Sequence, residues 1–242
     1  MGAIKAAIGD AVLTFMWAFC ASSLGALTSV IATALGVQGL LWPSLFITTL
    51  LFFVLLFVFT LIGDALLGGA SFNPTGNASF YAAGLGSDTL FSMALRFPAQ
   101  AAGAVAGTLA IMEIMPKEYK HILGGPSLKV DLHSGAIAEG LLTFLMSFAV
   151  LLIILRGPRS LIMKTWFLAV ATVSLIFVGS NYTGPAMNPT FAFGWAYVDK
   201  SHDTWEHFYV YWICPFIGAI LAAWIFRLLF PTSSQPAKQK KA

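Results

Sequence analysis

Six apolar runs, most of them close to the ~20 residues that cross a lipid bilayer, dictate what this chain can fold into. They lie near Ala11–Leu35, Leu40–Ile62, Leu90–Ile111, Ile137–Leu155, Thr165–Val178 and Phe208–Phe230. Hydrocarbon offers the backbone no hydrogen-bond partner, so runs of this length fold as helices that satisfy themselves. Composition agrees. Charged residues make up 10% of the chain, against roughly 25% in soluble domains. The expected class is an all-α integral membrane protein, multi-pass, with the bilayer as its solvent.

Threading six spans puts Lys5, Arg96, Arg156, Arg159, Lys164, Arg227, Lys238, Lys240 and Lys241 on one side. Lys117, Lys120, Lys129 and Lys200 fall on the other, among Glu118, Asp131, Asp199, Asp203 and Glu206. The positive-inside rule places both termini in the cytosol. The net charge of +3 is dispersed and reads as topology, so no nucleic-acid partner is expected. The first span is longer than a signal-peptide core and reads as retained. Cys20 and Cys214 lie inside spans as small apolar residues, not as a disulfide framework. His121, His133, His202 and His207 lack ligand spacing and read as solvated loop residues, so neither metal nor cofactor is expected. The tryptophans read mostly as interfacial anchors, and Ala102, Gly103, Ala106 and Gly107 as a surface for close helix packing.

The halves resemble each other. Asp10, Thr14 and Phe15 in the first run match Glu139, Thr143 and Phe144 in the fourth. One run further on, each half carries Asn-Pro-Thr: Asn73, Pro74 and Thr75, then Asn188, Pro189 and Thr190. Three spans per half is an odd number, so the second copy is inverted, an arrangement that puts a solute pathway at the repeat interface. The divisions are residues 1–114 (first repeat), 115–133 (connecting loop), 134–230 (second repeat) and 231–242 (cytosolic tail).

Asparagine is a favoured helix N-cap and proline a favoured first helical residue. Each motif therefore predicts a helix start, and the short apolar segment behind it predicts a half-crossing helix. Entering from opposite faces, the two starts meet near the midplane. There they offer asparagine N–H groups and positive helix ends to a passing molecule. Asp10 and Glu139 are costly inside a membrane. Their matched positions predict a structural role, accepting N–H bonds from the re-entrant loops, with a proton relay as the alternative.

The paired Asn-Pro motifs, the Asp/Glu-x-x-x-Thr-Phe repeats and the stretch Asn181 to Pro189 resemble the major intrinsic proteins, or aquaporins, over essentially the whole chain. The basic isoelectric point, Thr75 and the segment Phe193 to Tyr197 resemble the small basic intrinsic proteins of plants. That resemblance implies six spanning and two half-spanning helices, a homotetramer with a pore in each subunit, an endoplasmic-reticulum membrane, and passive flow of water or small neutral solutes. Lys238 and Lys240 fit a dilysine retrieval signal.

The departures concern selectivity. Both motifs end in threonine where the family has alanine. Phe191 stands where an arginine is usual, Ile176 at a usual histidine, Pro185 at a further constriction position, and Phe53 or Val54 at the second-span position. Ser71 replaces a common histidine. The implied filter is apolar and uncharged, so slower water flow or a less polar solute is expected. A proton-coupled transporter using Asp10 or Glu139, and a structural membrane protein closed at Phe191, are the competing functions. No nucleophile, base and metal converge, so an enzyme is not expected.

Overall fold

The computed structural model describes residues 2–231. Among these residues all the regular secondary structure is helical: α1 Ala3–Ser22, α2 Leu24–Ala34, α3 Leu41–Leu61, α4 Pro74–Ala82, α5 Leu90–Ile114, α6 Leu132–Arg156, α7 Leu161–Gly179, α8 Pro189–Val198, α9 Trp205–Phe208 and α10 Cys214–Leu229. Wide helical turns prolong α3 over Ile62–Leu66 and join α9 to α10 over Tyr209–Ile213.

Six continuous helical segments are long and apolar enough to span a membrane, matching the six runs. The first, Ala3–Ala34, comprises α1 and α2. It is interrupted at Ser22 and Ser23, whose hydroxyls bond back to the carbonyls of Ala18 and Cys20. Such back-bonding bends helices. The half-length helices α4 and α8 are too short to cross.

Packing follows the repeat. Helix α1 lies against α5 as α6 lies against α10, and α3 lies against α7. Each half-helix rests on the last span of the other half, α8 on α5 and α4 on α10. Glycines permit the closest approaches. A Cβ at Gly103 or Gly107 would collide with the carbonyls of Ala11 or Phe15, and one at Gly218 with that of Gly140. Backbones therefore touch directly in both halves, where packing between membrane helices is most favourable.

Two tryptophans are core residues rather than interfacial anchors. Trp17 is buried, stacks on Phe72 at 3.9 Å between ring centroids, and meets Phe52 and Phe59 edge-on. Trp195, on α8, is buried beneath Gly125 of the connecting loop. His207 also departs from the sequence expectation. It is buried, accepts a bond from Trp212 Nε1 at 3.3 Å, and lies beside Phe193. Lys238 and Lys240 lie outside the described residues.

Candidate pore and its asparagine pair

Both half-helices start at their asparagine. Asn73 Oδ1 accepts the Thr75 N–H at 3.0 Å, and Asn188 Oδ1 accepts the N–H groups of Thr190 and Phe191 at 3.2 and 3.4 Å. Proline follows each cap at the first helical position, where its missing N–H costs nothing. The loops then cross. Asn73 Nδ2 donates to the Met187 carbonyl at 3.0 Å, and Asn188 Nδ2 donates to the Phe72 carbonyl at 2.9 Å. A near two-fold arrangement thus joins the tips of two helices from opposite halves. Each amide nitrogen carries a second hydrogen, for which the described residues supply no further partner.

The carboxylates hold the loops behind this crossing. Glu139, fully buried, accepts the N–H of Ala186 at 3.0 Å, the N–H of Met187 at 2.6 Å and the Thr183 hydroxyl at 2.7 Å. Met187 has φ of 48°, a left-handed conformation that costs a side-chain-bearing residue about 1–2 kcal/mol. The bonds at its N–H and C=O hold it there. Asp10, equally buried, accepts the Ser71 N–H at 2.8 Å and the Gln100 amide at 2.6 Å.

Arg96 completes the Asp10 site. Its Nε and Nη2 reach the two Asp10 oxygens at 2.7 and 2.8 Å, while Nη1 bonds Asp88 at 2.8 and 3.0 Å. The sequence reading assigned Arg96 to the topology signal and missed this pair. Its place six residues into an apolar run was the available clue, because a guanidinium at that depth needs a carboxylate partner. Burial alone would raise the Asp88 carboxyl. Bonds from Asn77, Arg96 and Ser92 instead hold it below the usual carboxylate range.

A cavity of about 640 Å³ runs past both asparagines, from Gly124 and Pro126 of the connecting loop to Ser79 and Val150. Ile176, Pro185 and Phe191 line it. The second-span wall differs from the sequence expectation. Thr48, Phe52 and Leu56 line the cavity, and neither Phe53 nor Val54 does. Val54 is exposed on the outer surface, and Phe53 meets Trp166 edge-on at 5.6 Å. Residues four apart share a helix face, so Thr48, Phe52 and Leu56 form one stripe and Phe53 is turned about 100° from it. Phe191 packs against the cluster containing Trp17 and Phe52. Thr75 lines the cavity, whereas Thr190 is fully buried behind it.

Two inverted sets of spanning helices, with half-helices meeting at a shared passage, define an aquaporin-type channel. The chain belongs to the major intrinsic protein family: the family profile described as "Major intrinsic protein" matches residues 1–226. It is 61% identical over 240 residues to Aquaporin SIP1-2 of Zea mays, covering 99% of this chain and 98% of that protein. It is 58% identical to Aquaporin SIP1-1 of Oryza sativa subsp. japonica over 245 residues, covering 100% and 99%. These are small basic intrinsic proteins, the branch that the basic isoelectric point and the Phe193 to Tyr197 segment resemble. The X-ray structure of the aquaglyceroporin from Plasmodium falciparum shares the fold, with a TM-score of 0.73 over 95% of this chain and 98% of that one, at 16% identity. Family membership makes the chain a passive transmembrane channel, not an enzyme.

Proposed function

We propose that water, and neutral solutes of similar size, pass in single file between Asn73 and Asn188 and are screened by an apolar filter of Phe52, Ile176, Pro185 and Phe191. The observation carrying this reading is that both asparagines line one cavity, each with one amide hydrogen uncommitted among the described residues. Those hydrogens give an entering water replacement bonds at the midplane. The filter offers no charge and no side-chain donor, so water crossing it loses partners, at about 1 kcal/mol net for each bond not replaced. Slow water flow and tolerance of less polar solutes follow.

The proton-coupled alternative loses support. Asp10 is engaged by Arg96 and Gln100 and Glu139 by loop N–H groups, and neither carboxylate lines the cavity. Phe191→Arg in reconstituted vesicles is the direct test. A restored guanidinium narrows solute acceptance in stopped-flow swelling assays with water, urea and glycerol; unchanged selectivity would exclude Phe191 from the filter.

The assembly we propose is a homotetramer with one pore per subunit, in the endoplasmic-reticulum membrane, both termini cytosolic. The family resemblance supports the tetramer, and the lysine distribution supports the orientation. The Lys-x-Lys spacing of Lys238 and Lys240 supports retrieval. A reporter fused after Ala242 masks such a signal, and unaltered localisation would argue against it.

A further inference from the structure

We propose that Thr75 and Thr190 are positioning residues for ion exclusion, their hydroxyls fixing the asparagine amides so that only N–H groups face the passage. This rests on the pore reading above and deepens it.

The observation is symmetric. Asn73 Oδ1 accepts the Thr75 hydroxyl at 2.8 Å, and Asn188 Oδ1 accepts the Thr190 hydroxyl at 2.9 Å. Each amide oxygen has two lone pairs. At Asn73 the threonine N–H takes one and the threonine O–H the other; at Asn188 the longer Phe191 N–H bond shares the same oxygen. The same hydroxyls lie 3.3 Å from the Met187 carbonyl and 3.4 Å from the Phe72 carbonyl. These are the two carbonyls that receive the crossing amide bonds. Both threonines are buried, at 2% and 0% exposure, so water has little access to either hydroxyl, although Thr75 borders the cavity. One hydroxyl proton is thus shared between an amide oxygen of its own loop and a carbonyl of the opposite loop, twice over.

The consequence is orientational. An asparagine amide turned by half a rotation presents oxygen instead of N–H, and oxygen is what a bare cation or a hydronium ion needs at the midplane. An alkyl third residue leaves the Asn oxygen one tripeptide donor fewer to lose in that rotation. In the rotated state the hydroxyl gives up its bond of 2.8–2.9 Å to the amide oxygen and donates only to the opposite carbonyl, the longer contact at 3.3–3.4 Å. This control matters here because the residue after Thr190 is Phe191, and among the described residues no arginine or lysine lines the cavity. Exclusion of cations therefore falls on the amide orientation and the two helix ends.

The test uses the full-length chain in proteoliposomes, comparing wild type with Thr75→Val/Thr190→Val and Thr75→Ser/Thr190→Ser. Valine keeps the shape and removes the hydroxyl; serine keeps the hydroxyl. The readout is the ratio of ion flux to osmotic water flux, with potassium and protons followed by vesicle dyes and water by stopped-flow scattering. The valine pair raises that ratio about fivefold, the population change that one net hydrogen bond supports, and the serine pair returns it to wild type. A valine pair as ion-tight as wild type, or a serine pair that leaks like valine, overturns the proposal. Should the double valine variant not assemble, Thr75→Val alone carries the same expectation in smaller measure, and its ion tightness also overturns it. A wild type that passes no water removes the pore reading and this proposal together, which separates that failure from the other.

Discussion

The two halves hold their re-entrant loops with the same tool and different electrostatics. In the second half Glu139 works with neutral donors, two backbone N–H groups and the Thr183 hydroxyl. No lysine, arginine or histidine among the described residues is paired with it. In the first half Asp10 takes one loop N–H, from Ser71, and gives most of its capacity to Arg96 and Gln100. The loops differ in a matching way. The first uses Gly68 and Gly69 for its left-handed residues, and the second uses Gly184 and Met187. Glycine adopts that conformation freely, so the first loop needs less holding. The second puts a methionine there and receives two carboxylate bonds at and beside it. The internal repeat fixes where the carboxylate stands, and local backbone strain decides what the carboxylate must do.

Removing Arg96 breaks this comparison most strongly. Arg96→Met leaves Asp10 buried and Asp88 without their shared cation, and no residue of the second half has an equivalent effect. Breaking a buried pair from one side costs about 3–5 kcal/mol. The expected result is a large loss of thermal stability in detergent, read by tryptophan fluorescence. A shift as small as that of a surface arginine such as Arg159 would show that the pair is dispensable.

Amide substitutions sharpen the contrast. Asp10→Asn turns an N–H₂ group toward the Arg96 guanidinium or Gln100, with a cost of about 2–3 kcal/mol for lost charge-assisted bonds. Glu139→Gln retains an acceptor for Ala186 and Met187, and its N–H₂ meets the Thr183 hydroxyl, which can accept. Here about 1 kcal/mol is lost. Equal destabilisation of the two variants in parallel melts would contradict a charged first half and a neutral second.

Legibility from sequence followed how a residue's partner is encoded. The spans, the half-helices and the carboxylate match were readable because each is a local pattern: length, a cap before proline, a repeated spacing. The partner of Arg96 was not, since Asp10 lies 86 residues away and the arginine also fitted a topology count. The cavity-lining residue of α3 was missed by one position. Between Leu50 and Phe59 every residue is apolar, so the run contains no polar marker to set the helix phase. Thr48 was the usable marker, one turn before Phe52. The hydroxyls of Thr75 and Thr190 were visible as departures, but their shared partners exist only once the two loops cross.

Where the halves agree, substitutions have matched effects. Gly103→Ala drives a methyl group into the Ala11 carbonyl, and Gly218→Ala drives one into that of Gly140. Overpacking of this kind costs about 1–3 kcal/mol, and each variant parts one pair of helices, α1 from α5 or α6 from α10. Similar melting shifts are expected for both. A shift confined to one half would show that backbone contact is structural in that half alone.

The smallest effect belongs to Asp88, which the second half does not copy as a partner of its anchoring carboxylate. Burial opposes ionisation there, but Asn77, Arg96 and Ser92 together hold the carboxyl below its ordinary value in the folded chain. A folded value below the unfolded one makes the group stabilising at pH above the ordinary carboxylate value, about 3.9. That contribution is lost as pH falls through the folded value. Asp88 is only partly buried, so solvent screening limits the effect to ~0.5 kcal/mol. Melting temperatures of wild type and Asp88→Asn, compared between pH 7 and pH 3, therefore differ by a constant amount down to pH 5. The gap begins to close below about pH 4, where the unfolded chain's aspartate takes up its proton, and goes on closing as pH falls through the lower folded value. A gap that persists unchanged to pH 3, or widens there, would mean that Asp88 contributes through shape rather than charge, leaving the Asp10–Arg96 pair as the whole of the ionic difference between the halves.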